Sequence, residues 1–442
     1  MKIYVYTIIA LMIFLSSCFD DESEFGTNEI SEISLDTKLE DVYNIDKWET
    51  FSLNPEISQL IAGKELSYEW QIDYKVVSTE KELSFLCETL GELPCRLKIS
   101  NEDGAIFEDF TLKVNSPYEE GLLLLSKAND KSMLSFKRLD KEGYNFAKNV
   151  YSVNNPSVPL GSNPTMVLNH MDYVYIGSSE PTTLIRMNSK TFEVSNILDY
   201  PGQTPAYAVM NENSYSINFY GDGTVQNYDP GQNAFMNYMV YSLDPSDVLS
   251  DRAARINSGY VMFDDNTGKL YYYDSSYSMN NLEDGTFYGK KLVDVLKCDE
   301  GENILAIMKS PANDDPYIVR YLVESTTLDK NYNAAGTSLD INGTFLTSNK
   351  STILYYSSGN KVYAYNYLAD NFPTEAMITL DDSGAEIKSM LFDDKEGKIF
   401  IAANVAGADL SANVYCYNMD TKELEWKEEG VAGDIVQMIY KY

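Results

Sequence analysis

Short runs in which apolar and polar residues alternate dominate this chain, and no long stretch carries a persistent helical period. Leu66-Ser67-Tyr68-Glu69-Trp70-Gln71-Ile72 alternates as a strand does, and so does Phe107-Glu108-Asp109-Phe110-Thr111-Leu112-Lys113-Val114. Between Leu97 and Val114, Asp103-Gly104 separates two such runs and predicts a hairpin. From Gly121 onward one strand pattern recurs, ending in a large apolar residue usually followed by Asp or Asn. It reads Phe136-Lys137-Arg138-Leu139-Asp140, Leu184-Ile185-Arg186-Met187-Asn188 and Val225-Gln226-Asn227-Tyr228-Asp229, and it continues through Tyr273, Tyr321, Tyr365 and Tyr417. Successive spacings are 48, 41, 45, 48, 44 and 52 residues.

A period in the forties, with several short strands per unit, predicts the blades of a β-propeller. Seven repeats of 46 fit the 322 residues from 121 to 442. Six or eight blades, or a pair of sandwiches, remain alternatives. Phe263-Asp264-Asp265-Asn266-Thr267-Gly268-Lys269-Leu270-Tyr271 returns almost unchanged at Phe392–Phe400, 129 residues or three repeats of 43 later. Either Ile435–Tyr440 or Leu122–Leu125 is placed to close the ring and remove free strand edges. Before the repeats, a strand carrying Trp70 and a terminal hairpin suggest an immunoglobulin-like sandwich. The expected fold is therefore all-β, a sandwich over 29–116 followed by a propeller over 117–442, most simply seven-bladed.

The start of the chain has another character. Lys2, an apolar stretch of 13 residues from Ile3 to Leu15, and Ser16-Ser17-Cys18 read as a secretory signal. The alternative, an uncleaved transmembrane helix, needs about 20 apolar residues. Leu15-Ser16-Ser17-Cys18 resembles the bacterial lipobox, which implies removal of residues 1–17 and lipidation of Cys18. The segment 18–28 holds Asp20-Asp21-Glu22-Ser23-Glu24, a solvated tether by composition. It also resembles the surface-export signal of Bacteroidota lipoproteins, which implies an outer-membrane protein facing the medium.

Net charge is −33 over 442 residues. Such a surface repels phosphates and anionic lipid, so nucleic acid is excluded as a partner and the membrane is met through the lipid anchor only. The 35 tyrosines fit pleated strands. Of the five cysteines, Cys87 and Cys95 lie eight apart, spaced for a disulfide between neighbouring strands or for two buried thiols. Without CxxC, and with one histidine, no zinc or other metal constellation is expected.

Catalytic chemistry finds little support. Asp264-Asp265 and Asp393-Asp394 look like paired carboxylates, yet each precedes a Gly in a turn where Asp satisfies backbone donors. A Ser-His-Asp triad would depend on His170 alone, and no nucleophile elbow, Walker loop or dinucleotide fingerprint is present. Six arginines and no Asp-box turns argue against a sialidase. No catalytic residue and no cofactor are assigned. Tyr271-Tyr272-Tyr273, Tyr355-Tyr356 and Tyr363-Ala364-Tyr365 could stack on a ligand, but at strand spacing alternate residues point into the core. No ligand-binding residue is named.

The Tyr68-x-Trp70 strand and the run from Leu97 to Val114 around Asn101-Glu102-Asp103-Gly104 resemble PKD-like domains of Bacteroidota lipoproteins. The family's Trp-x-Phe-Gly-Asp-Gly is here Trp70-Gln71-Ile72-Asp73-Tyr74. Together, lipobox, acidic tether, PKD-like domain and tyrosine-rich propeller resemble PKD-like family lipoproteins. That resemblance implies a non-catalytic accessory to a SusC-type TonB-dependent transporter and its SusD-type lipoprotein, capturing a nutrient. Oligopeptide is favoured slightly over glycan because Trp426 is the propeller's lone tryptophan. A stand-alone glycan-binding lipoprotein and a propeller hydrolase or lyase are the alternatives.

Overall fold

The computed structural model of the chain describes residues 29–210, 216–236, 243–274, 279–281, 287, 289–407 and 409–442. The signal 1–17, the tether 18–28 and Cys18 lie outside the described residues. The chain divides into two compact units at Asn115/Ser116.

In the first unit, Val42–Asp46, Gly104–Asn115, Gly91–Asn101, Ser67–Ile72 and Lys75–Ser78 form one sheet in that order. Thr50–Leu53 pairs with Leu83–Leu86 in a second sheet. Both sheets feed one core, where Phe51 and Leu83 meet Trp70, Leu97 and Phe110. Trp70 is fully buried, its indole N–H donates to the Glu80 carbonyl at 2.9 Å, and Phe110 stands edge-on to its ring. The expected hairpin forms one residue earlier than its Asp-Gly signal. Asn101 pairs with Gly104, so Glu102 and Asp103 make the turn. Asn101 Oδ1 decides this by accepting from the Asp103 and Gly104 amides at 2.9 and 3.1 Å. Where the PKD pattern has Gly-Asp, Asp73 and Tyr74 take left-handed φ of 49° and 61° and turn the chain directly into Lys75–Ser78.

The second unit contains seven antiparallel sheets in chain order. Six of them have four strands each, and their first strands are Pro164–His170, Tyr207–Met210, Leu249–Ile256, Lys291–Cys298, Phe345–Thr347 and Ala385–Asp393. The remaining sheet draws on both ends of the unit. Asp434–Lys441 pairs with Gly121–Ala128, which pairs in turn with Lys131–Arg138. Both candidate closing segments thus serve, as partners of each other. The recurring apolar residues Met187, Tyr228, Tyr273, Tyr321, Tyr365 and Tyr417 all sit on the third strand of their sheets and are buried.

Seven apolar clusters hold the unit together, each shared by two consecutive sheets. One joins Leu123 and Phe136 to Val167 and Ile185, the next joins Tyr175 to Phe219, and so on around. The last joins Phe400 and Val414 of Ala385–Ala432 back to Leu122 and Leu124. Every sheet is therefore covered on both faces, which explains strands as apolar as Gly121–Ala128. Asx turns link the strands. Asn188, Asp229 and Asn418 each accept backbone N–H groups two and three residues on, at the end of a third strand.

The near-identical motifs do not occupy equivalent places. Asp264–Gly268 joins second and third strands, whereas Asp393–Gly397 joins first and second. Their three-period separation reflects shared turn chemistry, with Gly268 and Gly397 at φ 73° and 65°, and not phase.

Candidate functional site

A cavity of about 490 Å³ runs along the first strands of the seven sheets. Thr165, Tyr207, Arg252, Asp294, Phe345, Lys388 and Gln437 line it, one from each sheet. The register is irregular here: bulges interrupt pairing at Thr165, at 250–252, at Val293, at Lys388 and at Val436. A bulge frees one residue from the ladder and re-aims its side chain. Thr165, Arg252 and Lys388 are freed in this way, whereas the bulges at Val293 and Val436 place the neighbouring Asp294 and Gln437 beside an apolar bulge residue.

Arg252 is a half-buried charge in the cavity. Its guanidinium lies over the Tyr207 ring, 4.8 Å from the centroid. Among the described residues it has no hydrogen-bond or ion-pair partner. Asp294 is within its field but not in contact. Burial pushes the Asp294 carboxyl up to about 6, against the pull of Arg252 and of the Val295 N–H, which donates to Oδ1 at 2.9 Å. Burial, with Asp294 nearby, likewise pushes the Tyr207 phenol up to about 12. The other polar groups are already engaged: Lys388 with Glu386, Ser389 with the Met438 backbone, and Gln437 Oε1 with the Val167 N–H at 2.9 Å. Of the charged groups in the cavity, the Arg252 guanidinium and one Asp294 oxygen are left without a hydrogen-bond partner among the described residues.

The residues singled out in the sequence lie elsewhere. Asp264 accepts from Val248, Asn266 and Thr267, and Asp393 from Lys395 and Glu396, so both serve turns. His170 is buried at a strand end, with Nδ1 3.1 Å from the Met210 sulfur. Tyr271, Tyr273, Tyr355, Tyr356 and Tyr365 are core residues. Cys87, Cys95, Cys298 and Cys416 are buried free thiols in this structure. Burial pushes Cys95 up to about 11. Among the described residues no group of His, Cys, Asp and Glu is arranged to hold a metal ion. None of the described helices is long and apolar enough to cross a membrane. A second cavity, about 390 Å³ in the first unit, offers no free charge at Arg96, which grips Asp109 at 2.6 and 2.9 Å.

Sequence reasoning missed Tyr207, Arg252 and Asp294. The available signal was their recurrence on the strand two before each repeat's apolar marker, where a bulge cannot be read.

A model of the PKD-like family matches residues 18–164. Among solved structures, the chain is similar to a quinonprotein alcohol dehydrogenase-like protein from Bacteroides thetaiotaomicron, with 14% identity and a TM-score of 0.51. That alignment covers 93% of this chain and 96% of the other. At that identity the likeness concerns fold alone. A β-propeller domain of Cps50 (Swd1) from Myceliophteria thermophila aligns at 10% identity and a TM-score of 0.44, over 61% of this chain and 87% of that one. No curated protein matches. The protein is an all-β chain with a PKD-like N-terminal match and propeller-like structural neighbours.

Proposed function

We propose that this protein is a surface-exposed, lipid-anchored, non-catalytic subunit of an outer-membrane nutrient importer of the SusC/SusD type. Its N-terminal unit is an immunoglobulin-like PKD module that serves as spacer or interaction domain, and its C-terminal unit is a seven-bladed propeller. The observation that carries a ligand-capturing role is the cavity lined from all seven sheets, with a guanidinium and one carboxylate oxygen that no described residue engages. Its size is that of a small-ligand site. The PKD-like match and the lipobox at Cys18 support the location.

Mild-detergent purification of the tagged, lipidated protein from outer membranes, followed by mass spectrometry, tests this. A stoichiometric SusC/SusD-type pair is the expected result. Recovery of the protein alone, under conditions that keep known membrane complexes intact, overturns the accessory role.

A further inference from the structure

We propose that the propeller cavity binds a zwitterionic ligand of short-peptide size, with Arg252 holding its carboxylate and Asp294 its ammonium group. This rests on the ligand-capturing part of the function proposed above and gives it a substrate class.

Three observations lead to it. First, Arg252 is held by a ring face, not by an acid. The guanidinium lies over the Tyr207 ring and no described residue accepts from its N–H edge, the fork that pairs with a carboxylate. The other five arginines donate within the protein: Arg96 to Asp109, Arg138 to Asp140, Arg320 to Asp299 and Asp329, and the ring-stacked Arg186 and Arg255 to Ser195 and Tyr228 and to the carbonyls of Asn257 and Gly259. Second, Asp294 stands in the same cavity on the next sheet, with one oxygen on the Val295 amide and the other uncommitted. A half-buried carboxylate with an uncommitted oxygen calls for a cation. Arg252 is close enough to act on it electrostatically and too far to bond it. The cavity therefore presents two opposite charges with a gap between them. Third, the protein's exterior is strongly acidic, so a simple anion is repelled on approach, whereas a ligand with no net charge is not. A neutral sugar would leave both charges unpaired in a desolvated place. A molecule with one acid and one amine pairs both.

The test uses the full-length protein in detergent and three probes: trialanine, acetyl-trialanine, which lacks the ammonium, and trialanine amide, which lacks the carboxylate. Binding is followed by isothermal titration at low salt. Trialanine should bind, and each capped form should bind about tenfold more weakly or worse, because each loses one charge-assisted contact. Arg252→Gln should abolish the preference for acid over amide, and Asp294→Asn the preference for free over acetylated amine. Absence of trialanine binding, or equal binding of all three probes to the native protein, overturns the proposal without any variant having to fold. So does an Arg252→Gln protein that keeps the acid preference. Co-purification of transporter proteins is scored in parallel. Partners without peptide binding would fail this site and leave the accessory role standing; peptide binding without partners would do the reverse.

Discussion

Asp294→Asn should stabilise the protein at pH 8 and leave it unchanged near pH 4. The carboxyl ordinarily titrates at 3.8, and in the cavity it is pushed up to about 6. Between those values the native state keeps a proton that the unfolded chain has released. Stability therefore falls as pH rises through this window, and the loss is complete above about pH 7. A shift of about 2 units corresponds to about 3 kcal/mol, and water entering the cavity brings this to about 1–3 kcal/mol. Asparagine preserves the acceptor for the Val295 amide and has no charge to desolvate. Scanning calorimetry of both proteins from pH 4 to 8 gives the difference directly. The variant's melting temperature should exceed the native one by roughly 2–5 °C at pH 8, and the gap should close toward pH 4. A variant less stable at pH 8 would refute the reasoning. It would mean that attraction to Arg252 outweighs desolvation, so that the pair is a structural ion pair and not an open site.

Ending the chain after Gly433 removes Asp434–Lys441, leaves Gly121–Ala128 with an open edge, and should abolish the propeller's cooperative unfolding transition in calorimetry. Trp70→Ala empties the centre of the first unit and should destabilise it by about 3–5 kcal/mol in urea titration, with the propeller's transition unmoved. Cys87, Cys95, Cys298 and Cys416 should resist a thiol reagent in the native protein and all react in denaturant; a thiol count short by two in denaturant without reductant would reveal a Cys87–Cys95 bridge.

What the sequence settled by itself is local. Period-2 alternation, tyrosine content and Asx-Gly chemistry specify strands and turns within a few residues of each other. The apolar markers from Met187 to Tyr417 consequently land on third strands, and Asp264 and Asp393 prove to be turn acceptors. The same locality explains the errors. The Asp103-Gly104 signal is displaced by one residue because Asn101 competes for the turn amides. The repeated Phe-Asp-Asp motif fixes a turn without saying which pair of strands it joins. Only the tertiary structure decided which residues meet. Arg252 and Asp294 are 42 positions apart on different sheets, and they line one cavity where bulges at 250–252 and Val293 shift the register of their strands. The two closing segments were legible as apolar strands, but their pairing with each other and the bulges were not, since each depends on contacts between segments far apart in the chain.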